Sequence, residues 1–324
     1  MTTTLIATIR NEEHTIGELL ESIAAQSRPP DEIILCDGGS TDGTLPIVRG
    51  FAARLPVTII ERPGANISEG RNAAIRAASH EIIAVTDAGV RLEPDWLARI
   101  VEPLELDQEV QVVSGFFHSD PATPFEVALG ATTLPDQSEI DPAKFLPSSR
   151  SVAYRRAAFE AAGGYPEWLD FCEDLILDFN LKAKFGRFAF VPEAVAHFRP
   201  RQTLGEFLRQ YYQYARGDGK ARLFGRRHLI RYLTYFAALP VILWLSLAVS
   251  PWWWLALGLG VLFMVGMPYR RLIHQWGGLT LGGKLAAAAW VPVIRVAGDI
   301  AKMIGYPAGV AWRSQNHPPE WRIG

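Results

Sequence analysis

The chain has 324 residues, enough for one large domain or two smaller ones with an extensive core. Its formal net charge of −2 at pH 7 argues against a general nucleic-acid-binding protein, so no nucleic-acid partner is expected. Cys36 and Cys172 are the two cysteines, and their apolar neighbours indicate core residues rather than a disulfide or metal site.

The first elements predict a strand followed by an amphipathic helix. Residues 3–9 are typical of a strand, and Asn11 is the expected cap of a helix with apolar residues at helical spacing from Ile16 to Ala24. Arg10 and two glutamates come too early for a secretory signal peptide. We therefore expect this part of the chain to stay in the cytoplasm.

The next strand ends in an acid on a flexible turn. Residues 33–36 are apolar and predict a buried strand, which places Asp37 at its carboxyl end, where open α/β sheets bind ligands. Gly38 and Gly39 allow a tight turn, and Ser40 or Thr41 is the expected cap of the next helix. Asp37 can accept hydrogen bonds from a base or ribose. A plain strand–turn–helix connection explains the same residues equally well.

Strands and helices continue to alternate along the chain. We predict strands over residues 57–60 and 82–85, with a helix over 69–78 between them that Ser68 caps. This alternation implies parallel pairing, which gathers the turns after the strands on one edge of the sheet. The residues expected to meet there are Thr8, Asp37, Arg62 and Asp87.

The following segment is less regular. Strands are predicted over 110–117, 151–154 and 188–191, a short helix over 155–162, and a long loop over 118–149 that covers the cleft. Glu173 and Asp174 open an apolar helix. Acids favour helix N-termini for structural reasons, and they also suit a general base. His197 follows the last strand, where it has either a structural role or a role as a metal ligand.

Together these motifs resemble the family 2 glycosyltransferases over roughly the first two thirds of the chain. The matching stretches are residues 8–13, 37–44, 70–74, 87–89 and 173–174, in this order. The resemblance implies an α/β fold of the GT-A type, with a Rossmann-like, mostly parallel sheet flanked by helices. It also implies inverting transfer of a sugar from a nucleotide-diphosphate donor.

The resemblance also implies roles for individual residues. Asp174 would be the acceptor base, with Glu173 beside it as a second catalytic residue. Asp87 would take the first position of an Asp-x-Asp metal motif, and His197 would help bind Mg²⁺ or Mn²⁺. The implied donor-binding residues are Thr8, Arg10, Glu12, Asp37, Gly39, Arg71 and Asp87.

Two positions depart from the family pattern. Gly38 stands where a second acid of the nucleotide site is frequent, and Gly89 stands where the second metal-binding acid is usual. Two alternatives follow. Asp87 and His197 bind the metal together with diphosphate oxygens and water, which we favour, or metal binding is weak and arginine neutralises the leaving group. The candidate arginines are Arg71, Arg199 and Arg201.

The C-terminal part of the chain predicts a membrane-associated helical region. Residues 232–249 are almost uncharged and long enough to cross a bilayer, and 254–267 form a shorter apolar run. Arginines lie at both outer ends of this pair, which predicts a hairpin with both ends in the cytoplasm. A buried helical pair in a soluble domain is the alternative. Residues 285–312 are expected to form an amphipathic helix lying on membrane lipid, which we favour over a third span.

These observations predict four regions: a GT-A domain over 1–215, a basic linker over 216–231, a transmembrane hairpin over 232–268 and an amphipathic tail over 269–324. The predicted protein is a multi-pass enzyme of the cell membrane with about two spans and a cytoplasmic catalytic domain. Its acceptor would be a lipid-linked glycan or a cell-envelope polysaccharide.

Two alternatives to this function remain. Residues 213–217 resemble the Gln-x-x-Arg-Trp motif of processive polysaccharide synthases, with Gly217 in place of tryptophan. A catalytically weak membrane protein that binds sugar nucleotides is the other alternative, suggested by Gly89.

Overall fold

The computed structural model describes residues 1–321, which form eight strands and twelve α-helices. The strands are β1 (Thr3–Ile9), β2 (Glu32–Asp37), β3 (Val57–Glu61), β4 (Ile82–Val85), β5 (Val90–Leu92), β6 (Val112–Ser119), β7 (Val152–Arg155) and β8 (Ala189–Phe198). The first seven helices are α1 (Ile16–Ala24), α2 (Thr44–Gly50), α3 (Ile67–Ala77), α4 (Trp96–Leu106), α5 (Pro124–Thr133), α6 (Arg156–Ala161) and α7 (Glu173–Phe185). The remaining helices are α8 (Leu204–Ala221), α9 (Gly225–Leu233), α10 (Leu239–Ala248), α11 (Trp253–Gln275) and α12 (Leu281–Asn316).

All eight strands belong to one mixed sheet in the order β3-β2-β1-β4-β7-β6-β8-β5. The first four neighbours pair in parallel, as the alternation of strands and helices predicted. β7 runs antiparallel to both β4 and β6, and β5 runs antiparallel to β8. The carboxyl ends of β1 to β4 therefore share one edge. The predicted α/β fold, with a mostly parallel sheet flanked by helices, is confirmed, and its antiparallel pairs all lie beyond β4.

Apolar residues alternate between the two faces of the sheet. Leu5 and Ala7 pack with α1 and α4 on one face, whereas Ile6 packs with α3, α6 and α7 on the other. Cys36 is buried in this second layer, as expected for a core residue. Cys172 is different: it is only half-buried and adopts a left-handed conformation just before α7. Helices therefore pack against both faces of the sheet and hold its strands in place.

Three predicted helix caps are wrong. The helix predicted to be capped by Ser40 or Thr41 is α2, which begins at Thr44 after Gly43 and has no side-chain cap. Asn11 does not cap α1; its backbone is left-handed, with φ 54°, and its side chain accepts a hydrogen bond from the Thr41 backbone. Ser68 lies inside α3 and donates to the Leu169 carbonyl, while Asn66 caps the helix in a capping box with Glu69. Asn11 and Ser68 are the expected caps from local sequence, but each side chain instead hydrogen-bonds a distant segment of the chain.

The predicted long loop over 118–149 contains a helix. β6 extends to Ser119, and α5 follows, capped by the Thr123 hydroxyl, which accepts from the Glu126 backbone. Every residue from Phe125 to Thr132 in α5 is buried. A helix that is buried on all sides lacks the one-sided apolar period by which a surface helix is recognised, which is why the sequence did not reveal it.

The last strand is also longer than predicted. It covers Ala189–Phe198 rather than residues 188–191, because it pairs with β6 along one side and with β5 along the other. His197 consequently lies within β8, opposite Arg91 of β5, and not in a turn after the strand.

The chain divides into two compact units. The first comprises Met1–Asp120 and Gln137–Arg199, and the second comprises Pro121–Asp136 and Pro200–Pro319. In the second unit α12 packs along α8 and against α5. Residues 322–324 of the predicted 269–324 tail lie outside the described residues.

Two helical segments of the second unit are long and apolar enough to cross a membrane. They are Gly225–Ala248, of 24 residues, and Trp253–Gln275, of 23 residues. A π-helical turn, Thr234–Ala238, joins α9 to α10 within the first segment. Their apolar side chains are largely exposed: Phe236 is 72% exposed and Phe263 91%. Such unpartnered apolar surface suggests association with a membrane.

Candidate functional site

The turn after β2 holds the Asp37 carboxylate in place. Asp37 is 2% exposed, and its carboxylate accepts hydrogen bonds from the Gly39 and Ser40 backbone amides at 3.0 Å. The Ser40 hydroxyl donates a further bond at 2.5 Å. Gly39 has φ +94°, and a Cβ there would lie 3.2 Å from Pro63. Glycine is therefore favoured at position 39, because the backbone is left-handed and because a side chain would press against Pro63.

The segment after β1 is tied to the same turn. The Asn11 backbone donates to the Ser40 hydroxyl at 2.9 Å, and the Glu12 backbone donates to the Thr44 hydroxyl at 2.7 Å. The side chain of Glu12 accepts from the Thr15 hydroxyl at 2.6 Å. These bonds join the carboxyl ends of β1 and β2 into one rigid rim, and Glu12 contributes to its structure.

Thr8 and Arg10 lie at the same rim. Thr8 is opposite Cys36 in the β1–β2 pair, and α3 approaches it so closely that a Cβ on Gly70 would lie 2.8 Å from its methyl group. Arg10 is exposed immediately after β1. A Cβ on Gly38 would lie 3.5 Å from the Arg10 side chain, so Arg10 covers the start of the Asp37 turn.

The centre of the site is an arginine that binds two acids. Arg71 of α3 is 2% exposed, and its guanidinium donates to Glu173 at 2.6 Å and to Asp87 at 2.7 Å. It also lies over the Tyr165 ring, 5.2 Å from the ring centroid. The guanidinium thus connects the carboxyl end of β4 to the first residue of α7. Asp174 follows directly, so the predicted donor-side and catalytic acids lie in one cluster.

Burial and charge shift the titration of these groups. Burial alone lowers the pKa of Arg71, but the nearby charges of Asp87 and Glu173 outweigh it, so the pKa is raised and the arginine stays positive. Burial, together with the neighbouring Asp174 charge, raises the pKa of Glu173 to about 7. Burial also raises the pKa of Asp174, against the opposing effect of Arg71. A base with a pKa raised towards neutrality is suited to proton transfer at physiological pH.

Three residues of this cluster were missed in the sequence. Arg150 places its Nε 3.8 Å from the second Asp87 oxygen and stacks on the Phe198 ring. Tyr165 hydrogen-bonds Ser149 at 3.1 Å, and burial raises its pKa to about 12. Asp178 lies one helical turn after Asp174; burial raises its pKa well above the usual range. The i, i+4 spacing from Asp174 is a signal that could have identified Asp178.

His197 has a partner other than a metal-binding acid. Its Nε2 lies 2.6 Å from a Glu93 oxygen, and its ring centroid is 6.0 Å from that of His118. Arg91, opposite it in the sheet, lies 3.5 Å from Asp120. His197 therefore belongs to a group of charges at the β5–β8 edge, and its role as a metal ligand stays a prediction.

One acid of the site is placed to bind a divalent cation. Within residues 1–321 no group of three His, Cys, Asp or Glu side chains could hold a metal. Asp87 is nevertheless 28% exposed, with one oxygen bound to Arg71 and the other 3.8 Å from Arg150. Mg²⁺ needs only one or two protein carboxylates when substrate phosphates and water complete its shell. Asp87 fits a cation of this kind, whereas the Nε2 of His197 lies 2.6 Å from Glu93, so a metal role for His197 stays a prediction.

A cleft of about 410 Å³ opens beside the Asp37 turn. Its walls come from the β3–α3 connection and from two acids: Arg62, Pro63, Gly64, Ala65, Glu69 and Glu167. A Cβ on Gly38 would lie 3.3 Å from the Ala65 carbonyl, which shows how closely the turn adjoins the cleft. The volume lies within the usual range for a small-molecule site.

Acids collected at the carboxyl ends of parallel strands in a mixed sheet, with a cleft beside them, are the arrangement of the GT-A sugar transferases. Solved structures share this fold. Mannosyltransferase PcManGT from Pyrobaculum calidifontis, in complex with GDP-Man and Mn²⁺, aligns with a TM-score of 0.55 and 22% identity over 97% of this chain and 87% of that one. TarS 1-349 from S. aureus, in complex with UDP-GlcNAc, aligns with a TM-score of 0.52 and 19% identity over 97% and 92%.

Sequence comparison narrows this class to a family. The model of "Glycosyl transferase family 2" matches residues 4–161. Putative glycosyltransferase EpsE of Bacillus subtilis (strain 168) is 31% identical over 55% of this chain and 69% of its own length. Succinoglycan biosynthesis protein ExoA of Rhizobium meliloti (strain 1021) is 26% identical over 81% and 86%. The chain belongs to glycosyltransferase family 2, and the predicted family, fold and enzyme class are confirmed.

Proposed function

We propose that this glycosyltransferase moves a sugar from a nucleoside-diphosphate donor to a hydroxyl group of a lipid-linked or polysaccharide acceptor, with inversion at the anomeric carbon. The observation that supports the proposal is the bridge from Asp87 through Arg71 to Glu173, the residue immediately before Asp174. The titles of the solved relatives, which contain GDP-Man and UDP-GlcNAc, support a nucleotide sugar as the donor.

In the proposed reaction Asp174 acts as the general base. The acceptor oxygen attacks the anomeric carbon while its proton passes to the Asp174 carboxylate, and the bond from that carbon to the diphosphate oxygen breaks. The nucleoside diphosphate leaves with the bonding electron pair. Arg71 and Arg150 supply positive charge beside Asp87, where negative charge develops on the departing diphosphate. Glu173 fixes the guanidinium of Arg71 and so acts as a positioning residue.

The donor's nucleoside would occupy the cleft beside the Asp37 turn. Its volume, of about 410 Å³, and its position next to Gly38 and Gly39 support this placement. Because the Asp37 carboxylate is bound by its own turn, the residue would shape the cleft and present the remaining lone pairs of its oxygens to a ribose. Thr8 and Arg10 would line the opposite side.

Asp87 would bind Mg²⁺ or Mn²⁺ together with the diphosphate of the donor. The bound cation would neutralise charge on the leaving group. Mn²⁺ in the solved relative with GDP-Man supports the use of a divalent metal. Calorimetric titration with UDP and with GDP, with and without Mn²⁺, tests the role of Asp87. Metal-dependent binding that is lost in Asp87→Asn is expected, and equal binding in both conditions would remove this role.

We propose that Gly225–Ala248 and Trp253–Gln275 form a hairpin in the cell membrane. Arg226 and Arg227 lie at the start of the first helix and Arg270 and Arg271 lie near the end of the second, which favours a cytoplasmic side for both of these ends. The turn between the helices carries exposed tryptophans, of which Trp252 is 77% exposed. Protease protection at this turn tests the topology. Cleavage from the cytoplasmic side would contradict it.

Asp174→Asn tests the proposed base. We expect transfer to fall by about 10²–10⁴-fold while binding of the nucleotide donor persists, since the amide cannot accept the proton. The substrate can be found by screening nucleotide sugars for donor hydrolysis in the presence of Mn²⁺. Asp178→Asn is the matched control on the same helix: burial raises the pKa of this acid and so favours its neutral form, and the amide of similar shape should leave most activity. Near-normal transfer by Asp174→Asn would refute the assignment.

A further inference from the structure

A small cavity in the second unit is lined by positive side chains. It measures about 100 Å³, and its lining includes Arg295 and Lys302 of α12, Tyr211 of α8 and Thr133 of α5. A cavity of this size has room for about three water molecules, which is also the scale of a tetrahedral oxyanion. Its residues belong to the second unit alone and take no part in the transferase site described above.

The cavity's carboxylate is already engaged. Asp299 accepts a hydrogen bond from Arg231 at 2.7 Å, and its other oxygen accepts from the Tyr235 hydroxyl at 3.2 Å. The next nearby acid, Asp218, binds His228 at 3.1 Å. Because Arg231 neutralises Asp299, the remaining charged side chains of the cavity lining are Arg295 and Lys302.

Among the described residues, no ion pair joins Arg295 or Lys302 to a carboxylate, although the charges of Asp299 and Asp218 act on Lys302 from a distance. The Nε of Arg295 is buried and has no hydrogen-bond partner within residues 1–321. The ammonium group of Lys302 lies over the Tyr211 ring, 4.7 Å from its centroid. Burial, with the neighbouring charge of Arg231, lowers the pKa of Lys302 to about 8. Two cations held close together in a half-buried cavity are destabilising unless an anion joins them.

We propose that this cavity binds the phosphate group of an anionic ligand through Arg295 and Lys302. Arginine and lysine are the side chains that proteins use for phosphate, through the planar fork of one and the point charge of the other. The phosphate comes either from the headgroup of a lipid or from a soluble phosphate. Ile300 and Ile304, 43% and 60% exposed on the same helix, provide apolar surface for a lipid chain.

The test uses the full chain in nonionic detergent micelles, which carry no charge of their own. Calorimetry and thermal unfolding are measured with inorganic phosphate and with micelles containing phosphatidic acid; phosphatidylcholine is the reference lipid. We expect at least one phosphate probe to bind. Arg295→Gln with Lys302→Gln should weaken that binding by about tenfold for each cation removed. Binding of inorganic phosphate would identify a soluble source, and binding of phosphatidic acid alone would identify a lipid.

The matched control is Arg226→Gln with Arg270→Gln, which removes the same charge from two exposed positions of the second unit. Affinity in this control should stay within about threefold of the unmodified chain. Equal weakening in both double variants would show general charge attraction and overturn the proposal. Failure of both phosphate probes to bind the unmodified chain would overturn it as well.

A second measurement needs no variant and remains decisive if the double variant does not fold. Acylation of lysine amines is followed residue by residue by mass spectrometry, with and without the phosphate probe. A bound phosphate should slow the modification of Lys302 and leave Lys284 of the same helix unchanged. Equal rates at Lys302 in both conditions would overturn the proposal.

Discussion

Arg71→Met removes the guanidinium that two acids of the site share. This substitution leaves Glu173, whose side chain is only 7% exposed, without its partner; the side chain of Asp87 is 28% exposed. Removing one partner of a buried ion pair costs about 3–5 kcal/mol, because the remaining acid either stays charged without a partner or must take up a proton. For a unit of this size about 2–4 °C of melting temperature corresponds to each kcal/mol, so we expect a decrease of about 6–20 °C.

The cause of that decrease can be isolated with a second substitution. Glu173→Gln removes the buried charge that Arg71→Met leaves uncompensated, so the double variant should regain about half of the lost stability. The remainder reflects Asp87 and the contact with the Tyr165 ring, which the double variant still lacks. Differential scanning fluorimetry of the full chain in detergent measures all three proteins under one condition.

Arg76→Met is the matched control on the same helix. Arg76 is 58% exposed, and its 3.4 Å contact with Glu167 lies in solvent, where an ion pair contributes about 0–1 kcal/mol. Its melting temperature should change by no more than about 4 °C. If Arg71→Met unfolds at the same temperature as Arg76→Met, or if Glu173→Gln restores nothing, the bridge does not stabilise the site as described.

Three further predictions concern packing, pH and capping. Gly309→Ala should destabilise the second unit by about 1–3 kcal/mol, since its Cβ would lie 2.0 Å from the Arg216 carbonyl; Gly258→Ala, with open space around it, should not. Melting temperatures test both. The raised pKa of Glu173, about 7 against an ordinary 4.5, means that the folded chain binds more protons than the unfolded one between these values. Stability should therefore fall as pH rises from about 4.5 to about 7, with a smaller slope in Glu173→Gln. Asn66→Ala, which breaks the α3 capping box, should cost about 0.5–2 kcal/mol in the same assay.

The sequence predicted the parallel half of the sheet because its strands are buried apolar runs that end in turn residues. From this order alone, Asp37 and Asp87 could be placed on one edge, and β1 between β2 and β4 confirms that geometry. The position of α5 could not be predicted, since a helix buried on all sides shows no amphipathic period. His197 was misplaced for a related reason: partners on both sides extended β8 beyond its apolar residues.

Pairwise contacts across the site were also beyond prediction from sequence. Arg71 was identified as a donor-binding residue from its motif, but nothing local to α3 indicates that its partners are Asp87 and Glu173. Those residues lie 16 and 102 positions away, and only tertiary packing brings them together. The same packing shifts the pKa of Glu173 and of Asp174, so the strength of a candidate base is a property of the folded site.

The geometry of Arg71 explains why an arginine occupies this position. Its two terminal nitrogens bind acids on two different elements, one after β4 and one at the start of α7. A lysine ammonium, with a single charged atom, cannot bind both acids along separate directions and also lie flat over the Tyr165 ring. The planar fork therefore holds Asp87, on the proposed leaving-group side, at a fixed distance from Glu173, the residue next to the proposed base Asp174. A transfer reaction with in-line attack requires such a fixed distance, because the attacking oxygen and the leaving group lie on opposite sides of the reacting carbon.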